Sequence, residues 1–134
     1  MQEIRAAVDR YFEDLKNGNN NLITCEKVTE MKNKGEDFFV LDIRKPEDFE
    51  NRHIENSVNI FWSEVGDHLD DLPKDKHIVV VCYTGQSAGQ VVSLLRLLGF
   101  EACSLKGGMT CDHDSLPMDA SCDVDEPQEE TCDT

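Results

Sequence analysis

No lysine or arginine follows Lys106, although the chain runs on to Thr134. Over that stretch Asp112, Asp114, Asp119, Asp123, Asp125, Glu126, Glu129, Glu130 and Asp133 stand unopposed and supply most of a net charge of −15. So acidic a balance argues against a nucleic-acid partner, whose phosphates are held by Lys and Arg. It argues equally against an anionic membrane surface. The chain also lacks an apolar run of membrane-spanning length, and Met1-Gln2-Glu3-Ile4-Arg5 lacks the basic-then-apolar order of a secretion signal. The expected compartment is the cytoplasm, so Cys25, Cys82, Cys103, Cys111, Cys122 and Cys132 are expected to be free thiols. Close C-x-x-C pairs are missing too, so no metal site is expected, even with His113 beside Cys111.

What is present suits one globular domain: 134 residues, of which 39% are hydrophobic. Ile4, Ala7, Val8, Tyr11 and Leu15 recur at helical spacing, so residues 1–20 read as an amphipathic helix packing on the domain. Thr24 has the chemistry of an N-cap for a helix running to about Asn33 and stopped by Gly35. From there strand and helix patterns alternate. Phe38 to Leu41 reads as a buried strand, Pro46 as the first residue of a short helix, and Ser57 to Phe61 as another strand. Ser63 is expected to cap a helix reaching Leu69. A strand from Ile78 to Cys82 follows, then a helix whose buried face is Val91, Leu94, Leu95 and Leu98, with Gly99 as its stop, and a last strand from Ala102 to Leu105. Repeated strand–helix units of this length imply an α/β fold, with a mainly parallel sheet covered by helices on both faces. Residues 119–134 are acidic and poor in apolar side chains, and are expected to be disordered.

Cys82 closes the apolar run Ile78-Val79-Val80-Val81 and is followed by Tyr83-Thr84-Gly85-Gln86-Ser87-Ala88 and a helical pattern. A strand thus delivers a cysteine to the carboxyl edge of the sheet, where sites of open α/β sheets lie. The loop's amides and the helix amino terminus favour a thiolate there. The plain alternative is a small buried hydrophobe at a strand end.

The segment Leu41-Asp42-Ile43-Arg44-Lys45-Pro46-Glu47-Asp48-Phe49, with His53-Ile54 and Asn59-Ile60, resembles the first signature of the rhodanese family of sulfurtransferases. Val79 to Ala88, then Gly99-Phe100 and Leu105-Lys106-Gly107-Gly108-Met109, resemble the active-site half of a single-domain rhodanese. The likeness spans roughly 22–118 and implies a rhodanese-like domain at 21–118, with a five-stranded three-layer sheet and residues 1–20 as an extra helix. It also implies a Cys82 that takes a sulfane sulfur from a donor, holds it as a persulfide and passes it to a thiol or other nucleophile. Tyr83, Thr84, Gly85, Gln86, Ser87 and Ala88 would cradle the anionic sulfur. No cofactor is implied. The expected partners are a small-molecule or protein-bound sulfane sulfur donor, a thiol acceptor and a protein of a sulfur relay.

This chain departs from the family pattern where charge matters. Many members carry an arginine at the position of Ser87 and a cation at that of Tyr83, whereas this loop has no positive charge. Thiosulfate, a dianion, is therefore expected to serve poorly, and a thiol-bound or protein-bound persulfide to serve better. The aromatic residue that the family places after Gly-Gly is replaced by Thr110-Cys111-Asp112. Asp42, Arg44 and His53 are expected to support the site structurally, through an ion pair and scaffold hydrogen bonds. Phe61 and Trp62 suit either the pocket mouth or the core. Cys103 is expected in the core, and Cys25, at a helix start, as a mildly activated thiol. A cysteine of the tail, Cys111, Cys122 or Cys132, is expected either to resolve a Cys82 persulfide or to form a regulatory disulfide, the plain alternative being an acidic solubilising tail.

Two competing functions are set against this one. A phosphatase-type C-x-x-x-x-x-R loop is missing, because Ala88 and Gly89 stand where the arginine would be and Arg96 lies well inside the helix. A non-catalytic rhodanese-like module binding a protein partner remains the alternative, although binding alone would not require sulfur at the loop start.

Overall fold

The computed structural model of the protein describes residues 1–110 and the two-residue strand Met118–Asp119. Helix α1 spans Gln2–Lys16, β1 Leu22–Ile23, α2 Cys25–Asn33, β2 Phe38–Asp42, α3 Pro46–Asn51, β3 His53–Ile54 and β4 Val58–Asn59. A 3₁₀ segment, Trp62–Asp71, leads to β5 His77–Val81, α4 Gln86–Leu97, β6 Ala102–Leu105, a 3₁₀ turn Gly108–Thr110 and β7 Met118–Asp119. Five strands pair in parallel in the order β1-β6-β5-β2-β4.

The unbroken apolar run of β5 makes it the middle strand, since both its faces are covered. Ile78 and Val80 join one buried cluster with Val91, Val92 and Leu95 of α4. Val79 and Val81 point the other way, into a cluster with Cys25 and Val28 of α2. β2 runs in register with β5 from Phe38 opposite His77 to Asp42 opposite Val81. That register brings Asp42 and Cys82 to the same carboxyl edge.

Local chemistry places the helices as expected at two starts. The Thr24 hydroxyl accepts the Lys27 amide at 3.1 Å, and Pro46 occupies the first turn of α3. α1 buries no residue fully and rests on α4, with Tyr11 Oη 3.0 Å from Ser93 Oγ.

Several expectations need correction. The strand expected from Ser57 to Phe61 shrinks to Val58–Asn59 at the sheet edge, although the Ile60 and Trp62 amides still donate to the carbonyls of Asp42 and Ile43 at the end of β2. Ser63 caps nothing; it lies inside the 3₁₀ segment, which starts after Phe61 and is broken at His68. On α4 the buried residues are Ser87, Ala88, Val91, Val92 and Leu95, whereas Leu94 and Leu98 are 62% and 50% exposed. These two leucines instead line a cleft of about 580 Å³ between α1, the 3₁₀ segment and α4. The two-residue strands β1, β3 and β7 were not foreseen. β3 and β7 form a separate antiparallel pair, His53 opposite Asp119 and Ile54 opposite Met118. Asp119 is therefore paired rather than part of a disordered tail. The other positions expected in that tail lie outside the described residues, as do Cys111, Cys122 and Cys132.

Candidate active site

Cys82 follows the last residue of β5, and its side chain turns back under the loop that starts α4. The residue is only 1% exposed. Its Sγ accepts the amide of Gly85 at 3.0 Å and that of Ala88 at 3.4 Å. These donors belong to the start of a twelve-residue helix, whose first amides have no partner within the helix and whose dipole favours negative charge. An anionic sulfur at this position would be met by both.

Two glycines make the loop possible. Gly85 takes φ +108, a left-handed conformation that L side chains rarely adopt. Gly108, at φ +53, lies against the back of the loop, where a Cβ would come within 2.3 Å of the Cys82 carbonyl oxygen and 2.7 Å of the Tyr83 carbonyl carbon. That close approach lets the Met109 amide donate to the carbonyls of Cys82 and Tyr83, at 3.0 and 2.9 Å. The Gly-Gly turn after β6 therefore clamps the main chain that carries the cysteine.

Charged side chains brace the neighbouring β2–α3 turn. Arg44 binds Asp42 through Nε and Nη2, at 3.0 Å to Oδ1 and 2.9 Å to Oδ2. Both residues are buried. Nη2 also donates to the Arg52 carbonyl at 2.5 Å, and Asn59 Nδ2 donates to the carbonyls of Asp42 and Arg44. His53 stacks on Phe49, ring centroids 3.9 Å apart, and its Nδ1 donates to the Phe49 carbonyl at 2.6 Å.

Of the other loop residues, Ser87 is buried in the first turn of α4, Thr84 is half-buried and Gln86 exposed. Tyr83 is buried, and its hydroxyl donates to Asp48 Oδ2 of α3. The Arg44 guanidinium lies 5.8 Å from the centre of the same ring. Burial and the Asp48 carboxylate push the Tyr83 hydroxyl above its ordinary range, so it stays protonated.

Not every candidate gathers here. Trp62 lines the cleft beneath α1, none of whose walls comes from the Cys82 loop. Cys103 is half-buried rather than sealed in the core, because the strand leaves its sulfur open to Arg96, whose Nη2 lies 3.6 Å away. Cys25 is disulfide-bonded, so the expectation of an activated free thiol there fails. Cys82 and Cys103 carry free thiols. Among the described residues no group of His, Cys, Asp or Glu stands close enough to hold a metal ion, and no helix is long and apolar enough to cross a membrane.

Residues 24–111 match the model of the rhodanese-like domain. The chain belongs to that family. Rhodanese relatives include the thiosulfate sulfurtransferase GlpE of Pseudomonas aeruginosa, 33% identical over 100 residues, which cover 74% of this chain and 89% of that protein. Another is the putative sulfurtransferase YtwF of Bacillus subtilis, 26% identical over 65% of this chain and 84% of its own length. Among solved structures, a rhodanese-related protein from Thermoplasma volcanium superposes with a TM-score of 0.62 at 29% identity, covering 67% of this chain and 87% of that one. The family and the parallel five-stranded sheet agree with the sequence expectation. Sequence reasoning missed Asp48 as a neighbour of the loop. It stands 35 positions before Tyr83, and no local pattern joins the two.

Proposed function

We propose that this rhodanese is a sulfurtransferase in which Cys82 carries the transferred sulfur. The observation that supports this best is the pair of amides, Gly85 and Ala88, donating to Cys82 Sγ at the start of α4. In the first step the Cys82 thiolate attacks the outer sulfur of a donor R–S–SH. The donor's S–S bond breaks, R–S⁻ leaves, and Cys82 holds –S–SH. In the second step an acceptor thiolate R′–S⁻ attacks the outer sulfur, becomes R′–S–SH and returns Cys82 as thiolate. Nothing is oxidised or reduced overall, and no cofactor is required. Backbone N–H groups at the loop would stabilise the anionic sulfur at each stage.

The loop from Tyr83 to Ala88 offers amides but no cation, so thiosulfate is the weaker donor and a thiol-bound or protein-bound persulfide the better one. The acceptor is a thiol, either of a small molecule or of a protein in a sulfur relay. Asp42, Arg44 and His53 act as supports that fix the turn beside the loop.

One observation favours the alternative, a non-catalytic partner-binding module: Cys82 is almost wholly covered. Steady-state assays with thiosulfate and glutathione persulfide, each with a thiol acceptor, separate the readings. The transferase reading expects turnover that Cys82→Ser abolishes, with the persulfide the more efficient donor. Absence of turnover with every donor supports the binding module, and equal efficiency with the two donors removes the donor preference.

A further inference from the structure

The Arg44 guanidinium beside the loop is already engaged. Arg44 reaches over Tyr83, but its guanidinium is held in two-point contact by Asp42, with both residues buried. A second carboxylate, Asp48, stands at the hydroxyl of Tyr83 and accepts the hydrogen of that neutral phenol. Two carboxylates, Asp42 and Asp48, thus stand close to the residue that follows Cys82, one of them in two-point contact with Arg44 and the other hydrogen-bonded to the Tyr83 hydroxyl. Tyr83 has a definite part in this. It occupies the first position of the loop, and its hydroxyl ties the Asp48 carboxylate of α3 to that loop.

We propose that Asp48, placed by the Tyr83 hydroxyl, is a specificity-determining residue that selects sulfur donors by charge: it disfavours dianions and admits donors with one negative charge or none. This rests on the transferase reading above and adds a repulsive element to a loop that already lacks an attractive one. Discrimination built on repulsion is a common route to specificity, because a like charge placed near the wrong ligand costs more than its absence. The same group would act on entry rather than on bond making, so it is expected in kcat/KM and in its dependence on salt.

Thiosulfate and methanethiosulfonate form a matched pair for the test. Both deliver a sulfane sulfur from a sulfonyl-type group, and a methyl replaces one charged oxygen in the second, so they differ by one charge. The ratio of their kcat/KM values, measured with cyanide as acceptor, is the readout. The wild-type ratio is expected to favour methanethiosulfonate, and Asp48→Asn to shift it toward thiosulfate by about three- to tenfold. Raising ionic strength should shift the wild-type ratio the same way, which needs no variant to fold. A purely structural latch between α3 and the loop would lower both efficiencies together. An unchanged ratio in Asp48→Asn, or a salt-independent wild-type ratio, overturns the charge selection while leaving the transferase reading intact. If neither donor turns over in the wild type and no sulfur reaches Cys82, both readings fall.

Discussion

At the start of α4 the main-chain groups of Cys82, Tyr83, Gly85 and Ala88 are held by defined hydrogen bonds, whereas along its outer face, beneath α1, apolar side chains stay half in solvent. The Cys82 loop is held by a left-handed glycine, a Gly-Gly clamp that a single methyl group would disrupt, and two amides aimed at one sulfur. The α1 side has Ile4, Leu94 and Leu98 open around a cleft and no fully buried residue on α1 itself. The difference teaches where the fold tolerates change. Backbone-to-backbone contacts cannot relax, while exposed apolar side chains can rearrange at little cost.

The comparison breaks most sharply at the buried ion pair. Arg44→Leu leaves Asp42 charged, 1% exposed and without its countercharge, and is expected to cost ~3–5 kcal/mol in urea unfolding. A loss under about 1 kcal/mol would mean that Asp42 protonates or is reached by water. Next comes Gly108→Ala, whose Cβ meets main-chain atoms of Cys82 and Tyr83. It is expected to cost about 2–4 kcal/mol and to displace the loop. Gly89→Ala is the control within α4: open space surrounds it, so a gain of roughly 0.5–1 kcal/mol is expected from helix propensity. Equal effects at the two glycines would erase the contrast.

A smaller effect tests Tyr83 by pH. Its hydroxyl binds a proton more tightly folded than unfolded, so the link to Asp48 contributes fully below the ordinary tyrosine value of 10.0. Above it the unfolded state loses its proton first, and stability is expected to fall as pH rises. Tyr83→Phe should remove that fall. A slope unchanged in the variant would assign the alkaline loss to other groups.

The legible parts of the molecule were those written locally. An apolar strand, a glycine loop and a helical pattern are contiguous in sequence, as are the Thr24 cap and the Pro46 helix start, and each is found there, with the strand lying one residue earlier, at His77–Val81, so that Cys82 follows it. Leu94 and Leu98 misled because a 3.6-residue period gives the apolar face of a helix but not how tightly a neighbour covers it. β1, β3 and β7 are two residues long, too short to show a period of two, and depend on partners far along the chain. The Tyr83–Asp48 hydrogen bond was hidden for the same reason of distance. Nothing around Cys25 in the sequence distinguishes a disulfide cysteine from a free one.

The central claim is that Cys82 holds transferred sulfur, and intact-protein mass spectrometry tests it most directly. After exposure to a persulfide donor, the wild type is expected to gain the mass of one sulfur atom, located to Cys82 by peptide mapping, absent in Cys82→Ser and released by cyanide as thiocyanate. Sulfur that persists in Cys82→Ser, or a wild-type protein that gains none, would contradict the account.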